Sequence, residues 1–165
     1  MKQINCLIIS DSHGRVDRVR EALSRQRGVD AVFFLGDGIG DIAAVAPAFP
    51  DIYFLCVRGN CDYIDAFLDR QVMKTDSITL GDKRIFLTHG DMYGVKYGPE
   101  GLYRLAESVN ADIVLYGHTH IPSEEYREGV YYFNPGSLYG AAEGATCGVM
   151  TITDGGVLFS LMHID

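Results

Sequence analysis

The sequence predicts an α/β protein of layered sheets, and three observations carry that expectation. Through the front half, apolar runs of strand length alternate with stripes at helical spacing. Strand-type runs crowd the back half, with no helix among them after the one that Pro99 opens, which predicts a second sheet packed on the first. Five strand ends, finally, release residues of one chemical kind: Asp, Asn and His beside Gly.

Residues 4–9 form a continuous apolar run of the kind buried on both faces, ended by Asp11-Ser12-His13-Gly14. This stretch is too short, and too interrupted by Asn5, for a signal peptide, so it reads as a first strand. Residues 15–27 place Val16, Val19, Ala22 and Leu23 on one helical stripe, with Gly28 as the stop. Residues 31–35 are a second buried strand, closed by Gly36-Asp37-Gly38-Ile39-Gly40-Asp41. Those glycines do not match a dinucleotide fingerprint; they free the backbone around Asp37. Residues 42–49 predict a short helix ended by Pro50, and residues 52–57 a third strand running into Arg58-Gly59-Asn60-Cys61-Asp62.

Residues 77–80 and 84–87 predict a hairpin turning at Gly81-Asp82, whose second strand delivers Thr88-His89-Gly90-Asp91. A loop over 91–98 carries Tyr93, Lys96 and Tyr97. Pro99 then opens a helix with Leu102, Leu105, Ala106 and Val109 on one stripe, closed by Asn110. The apolar run 112–116 leads into Gly117-His118-Thr119-His120, and the run 131–133 into Asn134-Pro135-Gly136-Ser137. Strands over 148–153 and 157–162, joined across Asp154-Gly155-Gly156, finish the chain.

A chain of 165 residues with 47% hydrophobic content and a mean hydropathy of +0.05 fits one soluble domain spanning 1–165. No apolar run approaches the roughly 18 residues of a membrane span. A formal net charge of −8 argues against nucleic acid bound through a basic face. It leaves an anionic substrate open, since bound divalent cations reverse the local sign. The four cysteines form no Cys-x-x-Cys pair; Cys6 and Cys56 lie in apolar runs as small core residues. With no export signal, the expected compartment is the reducing cytoplasm. Ten tyrosines leave room for a homo-oligomer without locating an interface.

Ligands of open α/β sheets bind outside the carboxyl ends of the strands. There the chain places Asp11 and His13, Asp37, Asn60, His89, and His118 with His120. Three oxygen donors and four imidazoles suit Mn, Fe, Zn, Co or Ni better than Mg or Ca. One tetrahedral ion cannot use seven ligands, whereas two ions sharing a bridging carboxylate can. His118 and His120 would point to one side if extended geometry continued past the strand. Each piece alone has an ordinary reading as a turn, a helix cap or a loop histidine; their concurrence carries the metal reading. Only His163 of the five histidines is left over, and it is expected to be unrelated.

Asp11-x-His13, Gly36-Asp37, Gly59-Asn60-x-Asp62, Thr88-His89-Gly90 and Gly117-His118-x-His120 resemble, in order and spacing, the calcineurin-like metallophosphoesterase superfamily. The compact length, Gly59-Asn60-Cys61-Asp62 and Asn134-Pro135-Gly136-Ser137 look most like its small YfcE-type phosphodiesterase branch. The resemblance implies a four-layer αββα sandwich, with two mixed β-sheets flanked by helices. It implies two divalent ions, manganese first, with Zn, Fe, Ni or Co as alternatives. Asp11, His13 and His120 would hold one ion, Asn60, His89 and His118 the other, and Asp37 would bridge them.

The implied activity is phosphodiester hydrolysis of a small phosphoester by in-line attack of a metal-bridging hydroxide. Asp37, Asn60, Cys61, Asp62 and His118 form the expected catalytic set. A phosphomonoesterase on the same site, and a scaffold module of the same fold, are the alternatives. Cys61 departs from the pattern, since many members carry there a histidine thought to protonate the leaving oxygen. A thiol with an ordinary pKa of about 8.5 replaces imidazole poorly near neutrality, so esters with good leaving groups are expected to be preferred. Asp62 is expected to hold loop geometry or to bond a metal-bound histidine. Tyr93, Lys96, Asn134 and Ser137 are the candidates for substrate contact.

Overall fold

Two five-stranded sheets face one another in the computed structural model, which describes residues 2–63 and 71–165. The first has the order β10-β9-β1-β2-β3, from β1 (Ile4–Ile9), β2 (Ala31–Phe34), β3 (Tyr53–Cys56), β9 (Ala145–Thr153) and β10 (Gly156–Ile164). The second has the order β4-β5-β6-β8-β7, from β4 (Thr75–Leu80), β5 (Lys83–Thr88), β6 (Ile113–Leu115), β7 (Ser123–Arg127) and β8 (Val130–Asn134). Both are mixed. β1, β2 and β3 run parallel, as do β5, β6 and β8, while β9, β10, β4 and β7 pair antiparallel at the flanks.

Side-chain alternation along β1 and β2 explains the layering. Cys6, Ile8 and Phe33 point into the core between the sheets, where they meet Ile85, Leu87, Ile113, Leu115 and Phe133. Leu7, Ile9, Val32 and Phe34 point the other way, onto the buried stripes of α1 (Val16–Arg25) and α2 (Ile39–Val45). Across the second sheet, Val114 and Tyr132 pack on Leu102, Leu105 and Ala106 of α3 (Glu100–Val109). The result is the expected αββα order. Cys6 and Cys147 are buried, and burial pushes both thiols up to about 12, as fits small core residues.

Three departures from the sequence expectations have local causes. α2 begins at Ile39 rather than at residue 42, because a carboxylate from another loop caps it: Asp62 Oδ1 accepts the N–H groups of Gly38 and Ile39 (2.8 and 3.0 Å). β7 was not expected, since Ser123-Glu124-Glu125-Tyr126-Arg127 shows no apolar face; it is an exposed edge strand folded onto β8. β9 and β10 extend beyond their apolar centres to begin at Ala145 and end at Ile164. His163 lies in β10, where its carbonyl accepts a hydrogen bond from Arg25. Among the described residues no helix is long and apolar enough to cross a membrane.

Between the sheets, the Phe133 ring covers Gly148 of β9. A Cβ at Gly148 would collide with that ring, which also stacks on Phe159 at 4.5 Å between centroids and 13° between planes. Gly148→Ala is therefore expected to lower unfolding stability by about 1–3 kcal/mol through overpacking. Thermal denaturation of the single variant and of Gly148→Ala with Phe133→Leu checks this, the double variant recovering part of the loss.

Candidate metal centre

Parallel strands that share a sheet leave their carboxyl ends on one edge, and here both sheets contribute such an edge. The loops after β1, β2 and β3 carry Asp11 and His13, Asp37, and Asn60; those after β5 and β6 carry His89, and His118 with His120. They converge into two groups of donor atoms. In the first, His120 Nε2 lies 3.1 Å from Asp11 Oδ1 and 3.3 Å from His13 Nε2, which is 3.7 Å from Asp37 Oδ2. In the second, His89 Nε2 lies 3.2 Å from the same Asp37 Oδ2, and 3.1 Å from both Asn60 Oδ1 and His118 Nδ1. One carboxylate oxygen thus faces both groups, and each group draws donors from both sheets.

The donors fit divalent ions. Ligands about 2.1 Å from one ion stand about 3.0 Å apart in octahedral and about 3.4 Å apart in tetrahedral geometry, which is the spacing found here. His89 Nδ1 donates to the Leu35 carbonyl at 2.7 Å, so whenever the ring is neutral its lone pair is on Nε2, facing Asn60 Oδ1, itself an acceptor. Two acceptors in contact call for a cation. Asp11 Oδ1, wholly buried, has no hydrogen-bond partner, while its Oδ2 accepts from the Ser10 hydroxyl and the His118 N–H. An orphaned carboxylate oxygen aimed among imidazoles is the second mark of a cation site.

Titration behaviour follows the same charge balance. Burial acts to raise the Asp11 carboxyl, but the imidazoles of His120 and His13, the His89 charge and the Ser10 hydroxyl hold it below the usual carboxylate range. Asp37 is lowered too, burial being outweighed by His89 and the Cys61 N–H. His13 is raised by Asp11, and His89 is raised because Asp37 and Asp11 outweigh its burial. His118 alone among the shifted imidazoles is lowered, by burial and then by the charges of His89 and Lys96.

Backbone conformation is unusual at these positions. Of the seven non-glycine residues with left-handed φ among the described residues, five are donors: Asp11 (53°), His13 (42°), Asp37 (60°), His118 (68°) and His120 (61°). Each costs on the order of 1 kcal/mol, so the surrounding loops must enforce it. This corrects the extended geometry expected at His118 and His120. Both are left-handed, and they serve opposite groups, His118 through Nδ1 and His120 through Nε2.

The enforcing contacts are specific. Asp62, besides capping α2, accepts the N–H groups of Asp37 and Gly59 through Oδ2, both at 2.8 Å. Its carboxylate holds loop geometry through four backbone N–H groups rather than bonding a histidine. The Cys61 N–H donates to Asp37 Oδ1 at 2.7 Å, leaving Oδ2 for the two groups. Glycine is required at 59 and 117 because a Cβ would run into the Asp37 carboxylate and the Ser10 hydroxyl, respectively. Asp41 accepts from the Ser12 hydroxyl (2.6 Å) and the Gly14 N–H (2.9 Å), fixing the turn that carries His13.

The residues proposed for substrate contact separate. Asn134 is wholly buried: its amide donates to Gly117 O (2.9 Å) and Thr119 Oγ1 (3.0 Å), and its Oδ1 accepts from Gly136. The Ser137 hydroxyl, also buried, donates to the Asp11 carbonyl at 2.9 Å. Both are buried beneath the donors and brace the loops that carry them. Tyr93 is half-buried against the α3 cluster, whereas Lys96 is exposed and its charge acts on His118. Cys61 is exposed and its sulfur lies within 4.8 Å of donors from His13 and Asp37. Sequence reasoning missed Ser10, Asp41 and Tyr139, whose ring meets His13 edge-on at 5.8 Å. Ser10 had a signal in its place before Asp11; Tyr139 had none, because folding alone brings it there.

Comparison with known proteins agrees with this geometry. Residues 4–155 match the calcineurin-like phosphoesterase superfamily domain. The probable metallophosphoesterase YsnB of Bacillus subtilis (strain 168) is 34% identical over 136 residues, 82% of this chain and 75% of that protein. Phosphodiesterase YfcE of Escherichia coli (strain K12) is 33% identical over 151 residues, 80% of this chain and 78% of that one. A crystal structure of a predicted phosphoesterase from Streptococcus pneumoniae TIGR4 superposes with a TM-score of 0.81 at 26% identity, covering 100% of this chain and 94% of the other. Since the matched span includes every loop that builds the two donor groups, the chain belongs to the calcineurin-like phosphoesterase superfamily.

Proposed function

We propose that this protein is a phosphodiesterase of the YfcE-like branch that uses two divalent ions, manganese first, to hydrolyse a small phosphoester. The observation that carries the reading is the single Asp37 oxygen facing both donor groups, His89 at 3.2 Å and His13 at 3.7 Å. Asp11, His13 and His120 would hold one ion, Asn60, His89 and His118 the other, and Asp37 both. Bound there, divalent ions would supply positive charge for phosphoryl oxygens and the acidity that makes water a nucleophile at neutral pH. Against two ligand carboxylates, four positive charges leave the site cationic within an acidic protein. That balance attracts an anionic ester.

The chain's own side chains leave the nucleophile to water. Ser10, Ser12 and Ser137 are buried with their hydroxyls committed to Asp11, Asp41 and the Asp11 carbonyl. In the metal-free centre desolvation pushes the Cys61 thiol up, with Asp37 next. Cys61 acts chiefly through its backbone N–H, which orients Asp37. Its weak side-chain acid favours esters whose leaving group needs no proton. The name of the Escherichia coli relative supports a diester as substrate.

Three outcomes test this reading. Chelation should abolish hydrolysis of bis-p-nitrophenyl phosphate and Mn²⁺ should restore it; full metal occupancy without turnover across several divalent ions would sink the proposal. Asp37→Asn should lose both ions in metal analysis and cut kcat/KM by more than about 100-fold. Cys61→His should raise the rate on alkyl esters relative to nitrophenyl esters, toward the roughly 100-fold that a placed general acid contributes. A leaving-group series measures that ratio.

A further inference from the structure

We infer that Tyr139 sets specificity by stacking on a flat ring carried by the phosphoester at the His13 end of the centre. The inference rests on the phosphoesterase reading and adds the substrate's shape to it. Tyr139 is 54% exposed, yet its backbone is fixed to the metal loops. Its N–H donates to the Asp11 carbonyl at 2.9 Å, the same oxygen that receives the Ser137 hydroxyl. Its own carbonyl accepts from Arg18 Nη1, which also bonds the Leu138 carbonyl at 3.0 Å. The Gly140 N–H closes the turn on the Ser137 carbonyl at 3.3 Å.

An apolar ring held beside metal ligands is otherwise hard to account for. Its edge contact with His13, at 5.8 Å and 80° between planes, occupies little of the ring, and about half of the side chain stays open to solvent. Tyr97, 97% exposed in the loop after His89, shows the contrasting case of a tyrosine projecting freely. The basic groups on the Tyr139 side are engaged: Arg15 with Asp17 through two bonds of 2.9 and 2.6 Å, and Arg18 with the Leu138 and Tyr139 carbonyls. Across the centre, the exposed Lys96 places its charge near His118. The mouth thus offers the Lys96 charge on the His118 side and the Tyr139 ring on the His13 side. A phosphoester bound with its anionic oxygens between the donor groups and a ring against Tyr139 matches that polarity.

Binding of phenylphosphonate and methylphosphonate to the Mn²⁺-loaded protein, followed by calorimetry, tests the inference without turnover. The wild type should favour phenylphosphonate by about three- to tenfold. Tyr139→Phe should keep that preference, while Tyr139→Ala and Tyr139→Leu should lose it with methylphosphonate affinity and metal content unchanged. A preference that survives in both truncated variants, or is missing from the wild type, overturns the inference. So does loss of metal in both, which would make the ring structural. Absence of binding by either phosphonate overturns the phosphoesterase reading as well.

Discussion

Two carboxylates buried within reach of four imidazole nitrogens set the terms for the whole centre. Asp11 and Asp37 are 0% and 3% exposed, and neither sits opposite a lysine or arginine that would neutralise it among the described ion pairs. Partial compensation comes from dipoles: the His118 N–H and Ser10 hydroxyl on Asp11, the Cys61 N–H on Asp37. The remainder falls on histidines, which is why His13 and His89 are pulled toward the protonated form. A pocket that draws protons onto its imidazoles draws divalent cations for the same electrostatic reason, and the two compete for the same nitrogen lone pairs.

Left-handed backbone at five donors is the conformational counterpart of this electrostatic load. An extended chain would carry alternate side chains past the sheet edge in opposite directions. The left-handed turns fold them back over it. Such turns persist because tertiary bonds over-determine them: His13 N–H to Asp37 O, Asp11 N–H to Gly36 O, Gly117 N–H to His89 O. Asp62, Asn134 and Ser137 belong to that supporting set, and their position beneath the donors shows how much of the motif serves geometry.

Strands and helices were legible wherever burial imposes a period. β1, β2 and the stripe of α3 could be read directly, because one or both faces meet a core. The donor set was legible because few roles other than metal binding place Asp, Asn and His together past successive strands. β7 was not, since an edge strand with only Glu125 partly buried leaves no apolar pattern to read. Nor was the start of α2, which is fixed by Asp62 from 23 positions away. The same holds for Tyr139, whose approach to His13 spans the entire chain between β1 and β8.

Each donor group takes members from both sheets: Asp11, His13 and Asp37 meet His120, and Asn60 and Asp37 meet His89 and His118. The centre therefore sits on the seam of the sandwich as a rivet sits on two plates. Sliding one sheet against the other by even an ångström would distort both pockets together, so the close fit of Phe133 over Gly148 helps keep the donors aligned from the sandwich interior.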